Sequence, residues 1–104
     1  MPELPKYRFA VVPASAAAAL SSTPVRLIKV ELAGGSAASK VEFKNAATDT
    51  GSVLLTINAL TNDHKGADMQ DVGGLAFSTA CFCKPAGTGA IAYVWWEPMQ
   101  TQVA

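Results

Sequence analysis

The stretch GTGAIAYVWWE, residues 87–97, sets both tryptophans of a 104-residue chain side by side, as Trp95 and Trp96. A glycine turn followed by an apolar run rich in aromatic and β-branched residues predicts a β-strand. Successive side chains of a strand point to opposite faces, so Ile91, Tyr93 and Trp95 share one face while Ala90, Ala92, Val94 and Trp96 share the other. Both faces are apolar. One indole can enter the core of the domain, and the other needs a different cover.

Working outward from this strand, the chain reads as β throughout its larger part. VRLIKVEL alternates Val25, Leu27, Lys29 and Glu31 with Arg26, Ile28, Val30 and Leu32, and the Ile28 set is expected to face the core. After the turn LAGGSAAS, KVEFK directs Val41 and Phe43 inward between charges. SVLLTI then puts Val53, Leu55 and Ile57 on one face. Asn58 to Asp71 reads as a polar loop, and LAFSTACFC as one strand aligning Leu75, Phe77, Thr79, Cys81 and Cys83. Six or seven short strands with Gly-rich turns predict an all-β fold: an antiparallel β-sandwich or jelly-roll-like barrel.

The segment PASAAAALSSTP, residues 13–24, is bracketed by prolines and predicts a connector with at most one helical turn. Residues 1–24 are therefore expected to form an N-terminal arm and connector, and residues 25–104 the sandwich domain. In the arm, Tyr7, Phe9 and Val11 alternate with Arg8 and Ala10, so it can add a strand to its own sheet or reach to a neighbour.

Eight basic and eight acidic residues leave no net charge. This balance argues against nucleic-acid binding, which rests on positive potential. Charged residues make up only 15% of the chain, too few to cover its exterior, which predicts an oligomer or a large partner surface. The N-terminus lacks a secretory pattern, and ASAAAAL is too short to span a bilayer, so no membrane association is expected. Cys81 and Cys83 are expected as free thiols of a protein made in a reducing cytosol.

Catalytic groups are scarce. The single histidine, His64, lies near Asp63, Asp68 and Asp71, but Lys65 and Gly66 fall where a calcium loop needs ligands, so a solvated loop is expected. Cys81 and Cys83 lack the second pair that a zinc site requires. GGSAASK fails the phosphate-loop pattern at Ser39 and Val41. No metal, cofactor or catalytic residue is expected, and the chain reads as a non-enzyme acting through its surface.

The stretches LIKVELAGGSAASKVEFKNAATDTGSVLLTI (27–57) and DVGGLAFSTACFCKPAGTGAIAYVWWE (71–97) resemble the small all-β capsid decoration, or cement, proteins of tailed bacteriophages. The shared features are a strand, a Gly/Ser/Ala turn and a strand, a GL-x-F strand, and a closing GTGA hairpin ending in aromatics. The resemblance implies a virion location on the outer capsid surface, with the major capsid protein as partner and a homotrimer as the bound form. Tail, neck or head-fibre components and carbohydrate- or receptor-binding sandwiches are the alternatives. Tyr7, Arg8, Phe9 and Trp96 are the expected interface residues. On this reading Trp96→Ala weakens assembly and spares the fold, while Trp95→Ala lowers stability by about 3–5 kcal/mol, with the roles exchanged if the strand faces the other way.

Overall fold

The computed structural model describes residues 7–99; the outer ends of the two expected segments, residues 1–6 and 100–104, lie outside the described residues. Among the described residues there are nine strands: β1 (Arg8–Pro13), β2 (Ala18–Ser21), β3 (Val25–Ala33), β4 (Ser39–Lys44), β5 (Val53–Ala59), β6 (His64–Asp68), β7 (Leu75–Phe77), β8 (Cys81–Ala86) and β9 (Ile91–Pro98). They form two antiparallel sheets packed as a sandwich. The front sheet runs β1-β9-β3-β6, with β7 also paired to β3, and the back sheet runs β2-β8-β4-β5. This is the jelly-roll order with its sixth strand split into β6 and β7 along one edge of β3. The two sheets stay open at their edges, so the barrel closure entertained from sequence is not adopted.

The expected arm and connector contribute one strand to each sheet. β1 pairs with β9 from Arg8↔Trp96 to Pro13↔Ile91, and within the alanine-rich segment β2 pairs with β8. A single 3-10 turn, Ala14–Ala16, joins them. Alanine's helix preference is overridden because an isolated helix of this length is unstable, whereas an added strand gains a ladder of hydrogen bonds and packs Leu20 on the core. The polar stretch after Asn58 likewise holds β6, because Lys29–Ala33 present an edge for His64–Asp68 to pair with.

Two β-bulges correct the expected face assignments. On β3 the register steps from Leu27↔Trp96 to Lys29↔Trp95, which leaves Ile28 as the extra residue. The alternation changes phase there: Val25 and Leu27 point into the sandwich before the bulge, Val30 and Leu32 after it, and all four are fully buried. Arg26, which the uninterrupted alternation placed with them, is exposed. Ile28 is also buried, but beside Gly74 and away from the main cluster. On β5 the step from Leu55 to Val53 isolates Leu54, so Val53 turns outward although Leu55 and Ile57 point in.

LAFSTACFC is two strands in different sheets. The chain crosses between them at Ser78–Ala80, where Asn45 accepts a hydrogen bond from the Thr79 N–H at 2.9 Å and donates to Ser78 Oγ at 3.1 Å. Thr79 is thereby exposed instead of sharing the inward face of Phe77, Cys81 and Cys83. At the opposite end the two Gly-rich turns meet, with the Ser36 N–H donating to the Thr88 carbonyl at 3.0 Å. A Cβ on Gly35 would stand 1.9 Å from that same carbonyl oxygen, so the approach requires glycine. Ser39, buried below this turn, accepts from the Gly35 N–H and donates to the Ala37 carbonyl.

The core interleaves Val25, Leu27, Val94, Trp96 and Phe77 of the front sheet with Val41, Phe43, Ile57, Cys81 and Cys83 of the back sheet. Trp96 is thus a core residue, 7% exposed, and its expected interface role is corrected: β9 turns Ala92, Val94 and Trp96 inward and Ile91, Tyr93 and Trp95 outward. Trp96→Ala is expected to lower unfolding free energy by about 3–5 kcal/mol through loss of packing and the cavity left behind. Trp95→Ala should cost clearly less. Urea titration of the two variants followed by circular dichroism measures the difference.

Candidate surface site on the front sheet

The two outer faces of the sandwich differ in chemistry. On the back sheet, β4 and β8 point Lys40, Glu42, Lys44 and Lys84 outward. Asp49, in the turn between β4 and β5, is gripped by Lys44 and by Lys84 at 2.7 Å. Hydrogen bonds from these two ammonium groups hold its carboxyl below the usual carboxylate range. These ionic groups surround the outward-facing Phe82 and Val53.

The front sheet instead carries an apolar half and a polar half. Across β1 and β9, Phe9 and Val11 lie opposite Trp95 and Tyr93, with Ile91 completing the patch. The Ala14 N–H donates to the Ala90 carbonyl at 2.9 Å, one step beyond Pro13↔Ile91 in the same register. Even-numbered residues of β1 therefore bond to β9, and Phe9–Trp95 is a pair without mutual backbone bonds, the kind whose side chains approach closely. The Phe9 and Trp95 ring centroids are 4.8 Å apart and tilted by 43°, and Phe9 stacks on Tyr93 at 6.5 Å and 14°. Despite this packing Phe9 is 52% exposed and Val11 50%.

Beyond Trp95 the face turns polar. Lys29 Nζ lies 5.4 Å from the Trp95 ring centroid, a cation–π contact, and 3.8 Å from Glu31. Further across the sheet a shallow depression is lined by Glu31, His64, Lys65 and Gly66. The aromatic platform is thus bordered by one cation and one anion, and then by the edge strand β6.

Tyr7, Arg8 and Phe9 are all exposed, at the beginning of β1. Arg8 lies on the opposite face of the strand from Phe9. Trp95 joins Phe9 on the outer face where sequence reasoning placed Trp96. A signal for this was present in the even spacing of Ala92, Val94 and Trp96, since the small alanine suits a crowded interior better than the Tyr93 position does.

The groups weighed for chemistry do not converge. Cys81 and Cys83 point from β8 into the core as buried free thiols, while His64 lies on the outer side of the front sheet, opposite Ala33. Asp63 and Asp68 accept the backbone N–H groups of His64 and Gln70, which shapes the loop ends. No cluster of three potential metal ligands occurs among the described residues. Comparison with models of known protein families and with curated protein sequences finds no match.

Burial pushes the Cys83 thiol up to about 12 and raises Cys81 as well, with the neighbouring Cys83 adding to the latter effect. Both thiols hold their protons in the fold at pH values where an unfolded chain releases them, from about 8.5. The raised native values mean that stability is fully present below that pH and declines above it. Denaturation at pH 8 and pH 10 should show this loss, reduced in a Cys81→Ala, Cys83→Ala variant. A thiol reagent should modify the native protein only as fast as it unfolds.

Proposed function

We propose that the chain is a structural virion protein that decorates and stabilises the outer surface of a bacteriophage capsid, docking on the major capsid protein through the apolar half of its front sheet. The observation that carries this reading is the platform of Phe9, Val11, Tyr93 and Trp95 on the outer face of the front sheet, where Phe9 and Val11 are exposed above the half-buried Tyr93 and Trp95. Exposed aromatic groups on a fixed scaffold are what interface anchors consist of. Jelly-roll sandwiches recur in viral capsid proteins and in lectins, a likeness of architecture that adds only modest weight.

The mechanism is burial and not chemistry. A small protein that covers about 800 Å² per contact, repeated across a symmetric shell, holds neighbouring capsid subunits together through many modest interfaces. No catalytic group is required for this role. The homotrimer implied by the resemblance belongs to this proposal, as does a location on the virion surface.

A second reading, a carbohydrate-binding sandwich, draws on the polar border of the same platform. An indole flanked by Lys29 and Glu31 offers both a stacking face and hydrogen-bonding groups to a sugar ring. Saturable quenching of tryptophan fluorescence by soluble glycans would favour it over the capsid reading.

Quantitative mass spectrometry of purified particles, reading this chain against the major capsid protein, tests the proposal. A ratio near one, or a simple fraction implying hundreds of copies, is the expected result. A few copies per particle would shift the chain to the tail, neck or a unique vertex, and absence would overturn the virion reading. In the same assay a Phe9→Ser, Trp95→Ser variant that keeps its fold should lose at least about tenfold in occupancy, since anchor residues carry about 2 kcal/mol or more each.

A further inference from the structure

We propose that β1 pairs with β1 of a second copy of this chain, antiparallel across a two-fold axis at Ala10, joining two front sheets into one. This inference goes beyond the capsid reading and does not depend on it. Its basis is the outer edge of β1, which ends the strand order of the front sheet among the described residues.

Edge strands of natural sheets are usually protected by bulges, charges or short length. Three edges of this sandwich follow that rule. β2 has four residues and a bulge at Leu20, β5 is bulged at Leu54, and β6 carries Lys65 and Asp68 around Gly66. β1 keeps an unbroken register over six consecutive pairs; its protective groups, Arg8 and Pro13, stand at its two ends, and Phe9 and Val11 between them are uncharged on the outer face.

The hydrogen-bond phase identifies what that edge offers. Because the even-numbered residues bond to β9, Phe9 and Val11 turn their N–H and C=O groups to the open side among the described strands. Pro13 lacks an N–H, so it closes one end of the donor row. An antiparallel pair centred on Ala10 sets Phe9 of each copy against Val11 of the other, and each such pair exchanges both of its backbone bonds. This register uses the strand from residue 7 to residue 13, the greatest overlap its length allows.

The side chains are compatible with the same axis. On the inner face Ala10 meets Ala10, the smallest pairing the strand contains, and Arg8 lies across from Val12, so like charges are not opposed. On the outer face Phe9 and Val11 of one copy adjoin Val11 and Phe9 of the other, which covers the two most exposed apolar residues of β1. The same patch meeting itself across a two-fold axis is the isologous contact that most dimers use. It would also place two aromatic platforms on one continuous face.

Sedimentation velocity of the full chain over a wide concentration range tests the pairing. The expected result is a monomer–dimer equilibrium, with amide exchange at Phe9 and Val11 slowing as dimer forms. Val11→Pro removes a donor that makes no bond within its own sheet, twice per dimer, and should weaken association at least about tenfold. Phe9→Lys, which charges the edge and leaves the backbone intact, should do the same and decides the matter if the proline variant does not fold. A monomer at every concentration, a trimer, or a dimer indifferent to both substitutions would overturn the two-fold edge pairing. A trimer would overturn this pairing while agreeing with the homotrimer of the capsid reading, which particle stoichiometry tests by itself.

Discussion

β9 is paired on both sides, to β1 and to β3, and carries an unbroken two-residue alternation through Ile91–Pro98. A strand held by ladders on both edges cannot slip by one residue without inverting every side chain it carries. With Ala92, Val94 and Trp96 committed to the core, Tyr93 and Trp95 have no choice but the outer face. The platform on the front sheet is therefore a consequence of core packing.

The neighbours of β9 adapt to it. The bulge at Ile28 lets β3 bring Val25 and Leu27, and then Val30 and Leu32, to the same interior although their sequence spacing is out of phase. The main chain at Ile28 also anchors the connection between β6 and β7, since its carbonyl accepts the Met69 N–H at 2.8 Å. One inserted residue thus fills the core twice over and divides the edge of β3 between two short strands. On the far side β1 has no such interruption, and its regularity leaves a clean edge.

Surface chemistry then separates the two sheets. The back sheet disperses lysines and carboxylates that pair with one another in solvent, contacts that contribute solubility more than stability. The front sheet concentrates its charge toward β3 and β6 and, between Arg8 and Glu97 at the strand ends, leaves Phe9, Val11, Ile91, Tyr93 and Trp95 as one apolar patch. With charged residues at 15% of the chain, apolar side chains reach solvent on both sheets, at Val53 and Leu54 of the back sheet and as one aromatic area on the front sheet. A docking role for that area is the reading that the proposed function rests on.

The β class, the strands from Val25 onward that alternate cleanly, the glycine turns and the presence of one indole too many for a single core are all legible in the order of residues. Those features are local: period-two patterning and turn chemistry act over a few residues and survive any tertiary arrangement. Which indole is buried, the strand that PASAAAALSSTP supplies instead of a connector, and the division of LAFSTACFC between two sheets emerge from the fold. Each of these depends on a partner strand distant in sequence. Bulges at Ile28 and Leu54 change the phase of the pattern without any glycine or proline to mark them, and edge pairing outweighs the helix preference of a short alanine run because a ladder with β8 satisfies backbone groups that a single helical turn leaves open.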